Sequence, residues 1–103
     1  MPDFQLCPKY EKLTVFLGKR WTGLILRVLL EGDCRFNEIL ICVPHLSSRL
    51  LTERLKEMEE LGIVHREVIR EYPIKVRYQL TVKGQALAPI LESMEAYAKE
   101  WLE

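Results

Sequence analysis

RFNEILICVPHLSSRLLTERLKEMEELGIV, residues 35–64, reads as a short helix, a tight turn and a longer helix with polar first turns. Asn37 can cap the first helix, which carries Ile39, Leu40 and Cys42. Pro44 forbids its continuation, because proline has no N–H and restricts the residue before it. A turn is therefore predicted over 43–46, and Ser47 is a suitable N-cap for the second helix, which should end at Gly62. Within that helix Leu51, Leu55, Met58 and Gly62 follow at spacings of four, three and four, a buried stripe joined by Leu50 and Leu61. The opposite face offers Ser48, Arg49, Thr52, Glu53 and Lys56. Two helices joined by a tight turn, the second exposing polar groups near its N-terminus, suit a helix-turn-helix reading the major groove. An ordinary helical hairpin with a solvated face has the same pattern, so the rest of the chain decides.

With 103 residues, 49% of them hydrophobic and 29% charged, the chain is sized for one domain spanning 1–103. No apolar run reaches the roughly 20 residues that cross a bilayer, so no membrane partner is expected. Met1-Pro2-Asp3 lacks the basic and apolar regions of a secretory signal. A cytoplasmic location follows as an expectation, with Cys7, Cys34 and Cys42 reduced at rest. The formal net charge is zero, which at first argues against nucleic acid, since phosphate contacts dominate such affinity. The distribution argues otherwise. Residues 85–103 hold Glu92, Glu95, Glu100 and Glu103 against Lys99 alone, whereas residues 63–83 hold Arg66, Arg70, Lys75, Arg77 and Lys83 against Glu67 and Glu71.

Outward from the central stretch, residues 9–17 carry Leu13, Phe16 and Leu17 on one helical face, with Pro8 at the first position and Gly18 at the exit. Residues 21–30 are apolar all round except Arg27, the mark of a central core helix. Arg35 and Phe36 are expected to form a brief strand. After Gly62 the period becomes alternating, Val64, Arg66 and Val68 in one phase and Val76, Tyr78 and Leu80 in another, with a turn over 71–75. Thr81 then caps a last helix of about 82–102, kinked near Gln85 or Ala86 by Pro89. In it Leu87, Leu91, Met94, Ala98 and Trp101 recur at helical spacing together with Ile90 and Tyr97. A chain this small has already used its core helix, so this seam is expected to pair with a second copy. The predicted class is α+β: a winged helix-turn-helix, with the helix-turn-helix at about 37–61, a two- to three-stranded wing at about 63–80, and added N- and C-terminal helices that dimerise.

On that frame Ser48, Arg49, Thr52 and Glu53 should face base edges, Lys56 the backbone, and Arg70, Lys75 and Arg77 phosphate or the adjacent minor groove. Cys7 is the one residue nominated for reactive chemistry. At a helix N-terminus beside Lys9, a thiolate is favoured by the helix dipole and the nearby cation; a small inert cap is the plainer reading. Cys42 is expected in the core and Cys34 in an exposed turn. No CxxC or Cys/His ligand spacing, glycine-rich phosphate loop or oriented catalytic pair is present, so no metal, no cofactor and no enzymatic activity are expected. His45, in the turn, is placed to touch phosphate, and His65 opens the hairpin.

The chain resembles the HxlR family of bacterial transcription regulators, winged-helix proteins related to the MarR regulators. The resemblance covers nearly the whole chain. It rests on Cys7-Pro8, Gly18-Lys19-Arg20-Trp21-Thr22, Arg35-Phe36-Asn37-Glu38-Ile39, Leu51-Thr52-Glu53-Arg54-Leu55, Leu61-Gly62-Ile63-Val64, and Tyr78-Gln79-Leu80-Thr81 with Gly84. Each is weak alone; their order and spacing are specific. Ser48 departs from the proline that many relatives carry at the first helical position. The resemblance implies a homodimeric regulator of double-stranded DNA with a palindromic operator. It also implies a sensing role for Cys7, since several members detect electrophiles or oxidants through the cysteine at that position. Two alternatives stay open: a regulator that answers to a small ligand without a thiol switch, and a winged helix used as a protein-interaction module.

Overall fold

Pro8 loses nothing by opening a helix, because the N–H it lacks would have no partner there. It stands at the start of α1 (Pro8–Gly18) in the computed structural model, which describes residues 2–103. The chain continues through α2 (Thr22–Leu29), α3 (Phe36–Cys42), α4 (Ser48–Glu60), β1 (Val64–Ile69), β2 (Lys75–Leu80), α5 (Val82–Gln85) and α6 (Ala88–Trp101). The two strands form an antiparallel hairpin in which Val64 pairs with Leu80, Arg66 with Tyr78 and Val68 with Val76. The two alternating phases thus meet residue for residue. The architecture is a helical body with a two-stranded wing, a winged helix-turn-helix.

α2 supplies the centre of the core through Ile25, Leu26 and Leu29, and α4 lays Leu51, Leu55 and Met58 into the same cluster. Ile39, Val43, Leu46, Ile63, Val64, Tyr78, Leu80, Leu87, Leu91 and Phe16 close it. The structure corrects several expectations. Leu61 is exposed and terminates α4 rather than joining its stripe. α3 starts at Phe36, with Arg35 at the N-cap, and Asn37 lies inside it. The reason is local: the Glu38 carboxylate accepts the Arg35 N–H at 2.8 Å, satisfying the cap two residues earlier than Asn37 would. The brief strand shrinks to one bridge, in which Cys34 and Tyr78 exchange backbone bonds at 2.9 and 2.8 Å. Cys42 is exposed, not core, because Ile39 is the residue of α3 that is buried. The C-terminal helix breaks outright at 86–87, where Pro89 in the next turn cannot bond back along the helix.

The seam on α6 is divided. Leu87 and Leu91, expected at a subunit interface, are 8% and 5% exposed and belong to the chain's own core. Met94 and Trp101, at 52% and 66%, remain open to solvent with Ile90, Tyr97 and Leu102. The molecule measures 61 × 32 × 24 Å, and its radius of gyration is 15.6 Å, against about 13 Å for a compact chain of this length.

The elbow between α1 and α2 holds Trp21 at φ +79°, a left-handed conformation that costs a bulky residue on the order of 1–3 kcal/mol. It is tied to α4. Lys19 Nζ donates to Glu57 Oε2 at 2.8 Å, Arg54 Nη1 to Glu57 Oε1 at 3.0 Å, and Arg54 Nε to the Arg20 carbonyl at 2.9 Å. The hydrogen bond from Lys19 holds the Glu57 carboxyl below its ordinary value of 4.5, with the Lys19 and Arg54 charges adding to it against partial desolvation.

A carboxyl whose pKa falls on folding stabilises the fold fully above its unfolded value of 4.5 and loses that contribution as pH drops through the lower folded value. Urea midpoints at neutral pH and at about pH 3 should therefore differ less in Lys19→Met than in wild type; equal losses would contradict the assignment. A second expectation concerns two glycines. A Cβ at Gly84 would be driven into the Ile63 carbonyl and against Leu80, while one at Gly23 in α2 meets nothing. Gly84→Ala should cost about 1–3 kcal/mol or more, and Gly23→Ala should add about 0.5–1 kcal/mol. Urea unfolding of both decides the matter, and an unaltered midpoint for Gly84→Ala would refute the close contact.

Candidate nucleic-acid interface

α4 can present its polar face because its two ends are satisfied independently of it. The Ser47 hydroxyl accepts the Leu50 N–H at 3.1 Å at the N-terminus, and Gly62 at φ +73° carries the chain out at the other end. Between α3 and α4 the turn places His45 in the left-handed region at φ +70°, and Pro44 and His45 are exposed. Ser48, Arg49, Thr52, Glu53 and Lys56 are all exposed on α4. Arg49 lies 3.5 Å from Glu53 with 89% of its side chain exposed, a pair so solvated that it holds the guanidinium only loosely. The Thr52 hydroxyl donates to the Ser48 carbonyl at 2.8 Å, so toward any ligand it offers an acceptor.

The wing adds basic groups on both of its faces. Thr52 and Lys56 of α4 line a groove of about 640 Å³ with Arg66, Glu59, Glu60 and Tyr78. Arg66, absent from the contacts expected above, shares the phase of Val64 and Val68; a charge in an otherwise apolar phase is the signal that marks it. Lys75 and Arg77 belong to the outward phase and are gathered elsewhere, with Arg35, Asn37 and Ile74 around a groove of about 750 Å³ beside α3. Glu67 pairs with Arg77 across the ladder. Arg70 is exposed where β1 ends. Thr52 and Lys56 of α4 and the Lys75–Arg77 pair therefore lie at two grooves rather than at one, and Ser48, Arg49 and Glu53 line neither.

The three thiols occupy different surroundings. Cys7 is exposed at the N-cap of α1, where its carbonyl accepts the Glu11 N–H at 3.0 Å and its thiol makes no capping bond. Cys42 is exposed on α3. Cys34 is partly buried and donates to the Gly32 carbonyl at 3.3 Å. Burial pushes its thiol pKa up, and the nearby acids Glu38 and Asp33 and the Cys42 thiol add to the shift. Among the described residues no group of three or more His, Cys, Asp or Glu side chains is placed to hold a metal ion, and no helix is long and apolar enough to cross a membrane.

A family model described as HxlR-like helix-turn-helix matches residues 16–103. The HTH-type transcriptional regulator YvaP of Bacillus subtilis is 48% identical over 103 residues, covering 100% of this chain and 95% of its own. The reduced form of the transcriptional regulator YodB from B. subtilis superposes with a TM-score of 0.85 at 47% identity, covering 96% of this chain and 97% of that one. YodB has also been solved quinone-bound, with a TM-score of 0.80 at 45% identity over 93% of this chain and 100% of that one. The redox regulator HypR in its oxidized form gives a TM-score of 0.87 at 37% identity, covering 94% and 99% of the two chains.

Since thiolate is the nucleophilic form, iodoacetamide at neutral pH should label Cys7 and Cys42 in the folded protein well before Cys34. Peptide mass spectrometry across a time course reads the order; labelling of Cys34 at the rate of the other two would contradict the burial described.

Proposed function

The chain belongs to the HxlR-like helix-turn-helix family of transcriptional regulators, and from that premise we propose that it acts in the cytoplasm as a non-enzymatic homodimer on a palindromic operator. The observation that carries the reading is α4, whose first turns expose Ser48, Arg49, Thr52 and Glu53 while its other side is buried through Leu51, Leu55 and Met58. In this reading the exposed residues meet base edges, Lys56 and Arg66 meet the backbone flanking the groove, and Arg70, Lys75 and Arg77 of the wing reach phosphate or the neighbouring minor groove.

The homodimer is supported by the open half of the α6 seam, Met94, Tyr97, Ala98 and Trp101, and by exposed Phe4, Leu6 and Tyr10 at the other end of the chain. An apolar surface of this kind on an elongated protomer favours coverage by a second copy. Leu87 and Leu91 leave the interface for the core, so the test moves to the exposed residues. Met94→Glu with Tyr97→Glu should yield folded monomers in sedimentation; a wild type that is monomeric at micromolar concentration would sink the dimer.

Cys7 is assigned as the sensor on two grounds: the exposed thiol at the start of α1, and the quinone-bound state of its relative YodB. Addition of the thiolate to a quinone ring carbon forms a C–S bond and leaves a hydroquinone adduct, one ring oxygen taking the proton lost from the attacked carbon and the other the proton the thiol gave to solvent. Turning a DNA-bound population of 99 in 100 into one in 100 requires about 5.5 kcal/mol of differential stability, within reach of a covalent adduct at a subunit seam. A ligand-responsive regulator without a thiol switch is the second reading. It is favoured by a groove of about 410 Å³ between Leu17, Trp21, Gly23, Leu24, Leu91 and Met94.

Arg49→Ala should cost about 1–3 kcal/mol on the operator and relax sequence preference, while Lys75→Ala should weaken all duplexes alike and lower the salt slope by about one. Equal loss on operator and random DNA for Arg49→Ala would remove it from base reading. Binding insensitive to salt would instead favour a protein-interaction module. For the switch, DNA affinity of wild type and Cys7→Ser is compared before and after quinone treatment: only wild type should lose affinity, and an identical response would transfer sensing to the ligand site.

A further inference from the structure

The α1–α2 elbow is held in a conformation its own residues do not favour. Trp21 sits at φ +79° with its indole N–H buried and unpartnered, so the elbow depends on what grips it from outside. The grip comes from the reading helix. Arg54 donates to the Arg20 carbonyl, Glu57 takes Lys19 on one carboxylate oxygen and Arg54 on the other, and the Arg20 guanidinium stands 4.6 Å over the Trp21 ring. At 3.6 residues per turn, positions 54 and 57 fall on the flank of α4, between the buried stripe of Leu51, Leu55 and Met58 and the exposed face of Arg49, Thr52 and Lys56. The other side of the elbow is equally engaged, since Trp21 and Lys19 line the groove against Leu91, Met94 and Glu95 of α6.

We propose that Lys19, Arg54 and Glu57 are positioning residues for DNA reading: they clamp the elbow to the reading helix, so that the tilt of α4 is set by α1. The proposal rests on α4 being the reader. Its leverage is geometric. Eight residues separate Glu57 from Arg49, about 12 Å along the axis. A tilt of about 10° there would carry Arg49 by about 2 Å, beyond what a base-edge hydrogen bond tolerates. Ion pairs at the surface usually add little to stability, but one joining two elements at a strained turn can fix their angle. The clamp would also give a change at the start of α1 a path to the reader that does not pass through the core.

The test begins with a randomised duplex library from which wild type enriches its operator. Affinities of Lys19→Met, Glu57→Gln and the charge exchange Lys19→Glu/Glu57→Lys are then measured on that duplex and on unselected random DNA. Both single variants should lower the operator-to-random ratio by roughly two- to thirty-fold, and the exchange should recover part of it. The sign separates positioning from bulk electrostatics: Lys19→Met removes a positive charge and Glu57→Gln a negative one, so a field effect would move affinity in opposite directions on both DNAs. Opposite shifts, an unchanged ratio, or equal loss on both DNAs alongside a lower melting temperature would each overturn the clamp while leaving α4 as reader. Enrichment of no sequence by wild type would overturn the reader and the clamp together.

Discussion

Burial of one stripe of α4 is the constraint from which the rest of the structure follows. Leu51, Leu55 and Met58 are at most 1% exposed, and each contributes about 1.5–3 kcal/mol relative to an exposed side chain. A helix anchored along a single line has no freedom to rotate its polar face inward, so Ser48, Arg49, Thr52, Glu53 and Lys56 are held toward solvent. The wing inherits its place from the same anchorage: β1 begins at Val64, two residues after Gly62, and Tyr78 on β2 is fixed to Cys34 just ahead of α3. The exposed face of α4 and the position of the wing are thus two outcomes of one packed stripe.

Where hydrophobic periodicity is strong and the partner lies in the same chain, the fold was legible in the sequence. The turn after Pro44, the Ser47 cap, the Gly62 exit and the two strand phases all correspond to what the structure contains. Periodicity names an apolar face but not what covers it. The C-terminal seam is uniform in sequence, yet Leu87 and Leu91 find cover within the chain while Met94 and Trp101 do not. Cys42 failed for a related reason: a short helix has room for little buried surface, and Ile39 takes it.

The candidate site divides in the same way. The α4 residues could be read off because a helix face is a local property. The grouping of Arg66 with Thr52 and Lys56, and of Lys75 and Arg77 with Arg35, depends on which wing face meets which helix, a non-local matter. The elbow was wholly illegible. Nothing in Lys19-Arg20-Trp21 announces a left-handed tryptophan, and the hydrogen bond and the ion pair that hold it span 34 and 38 residues of sequence.

The proposal that two copies of α4 read successive major grooves is open to dimethyl sulfate protection on an operator duplex, because the reagent reports guanine N7 in the major groove. Protection should appear in two patches on one face of the duplex, about 34 Å apart. A single protected patch, or binding that leaves every guanine N7 reactive while the minor groove is covered, would contradict it.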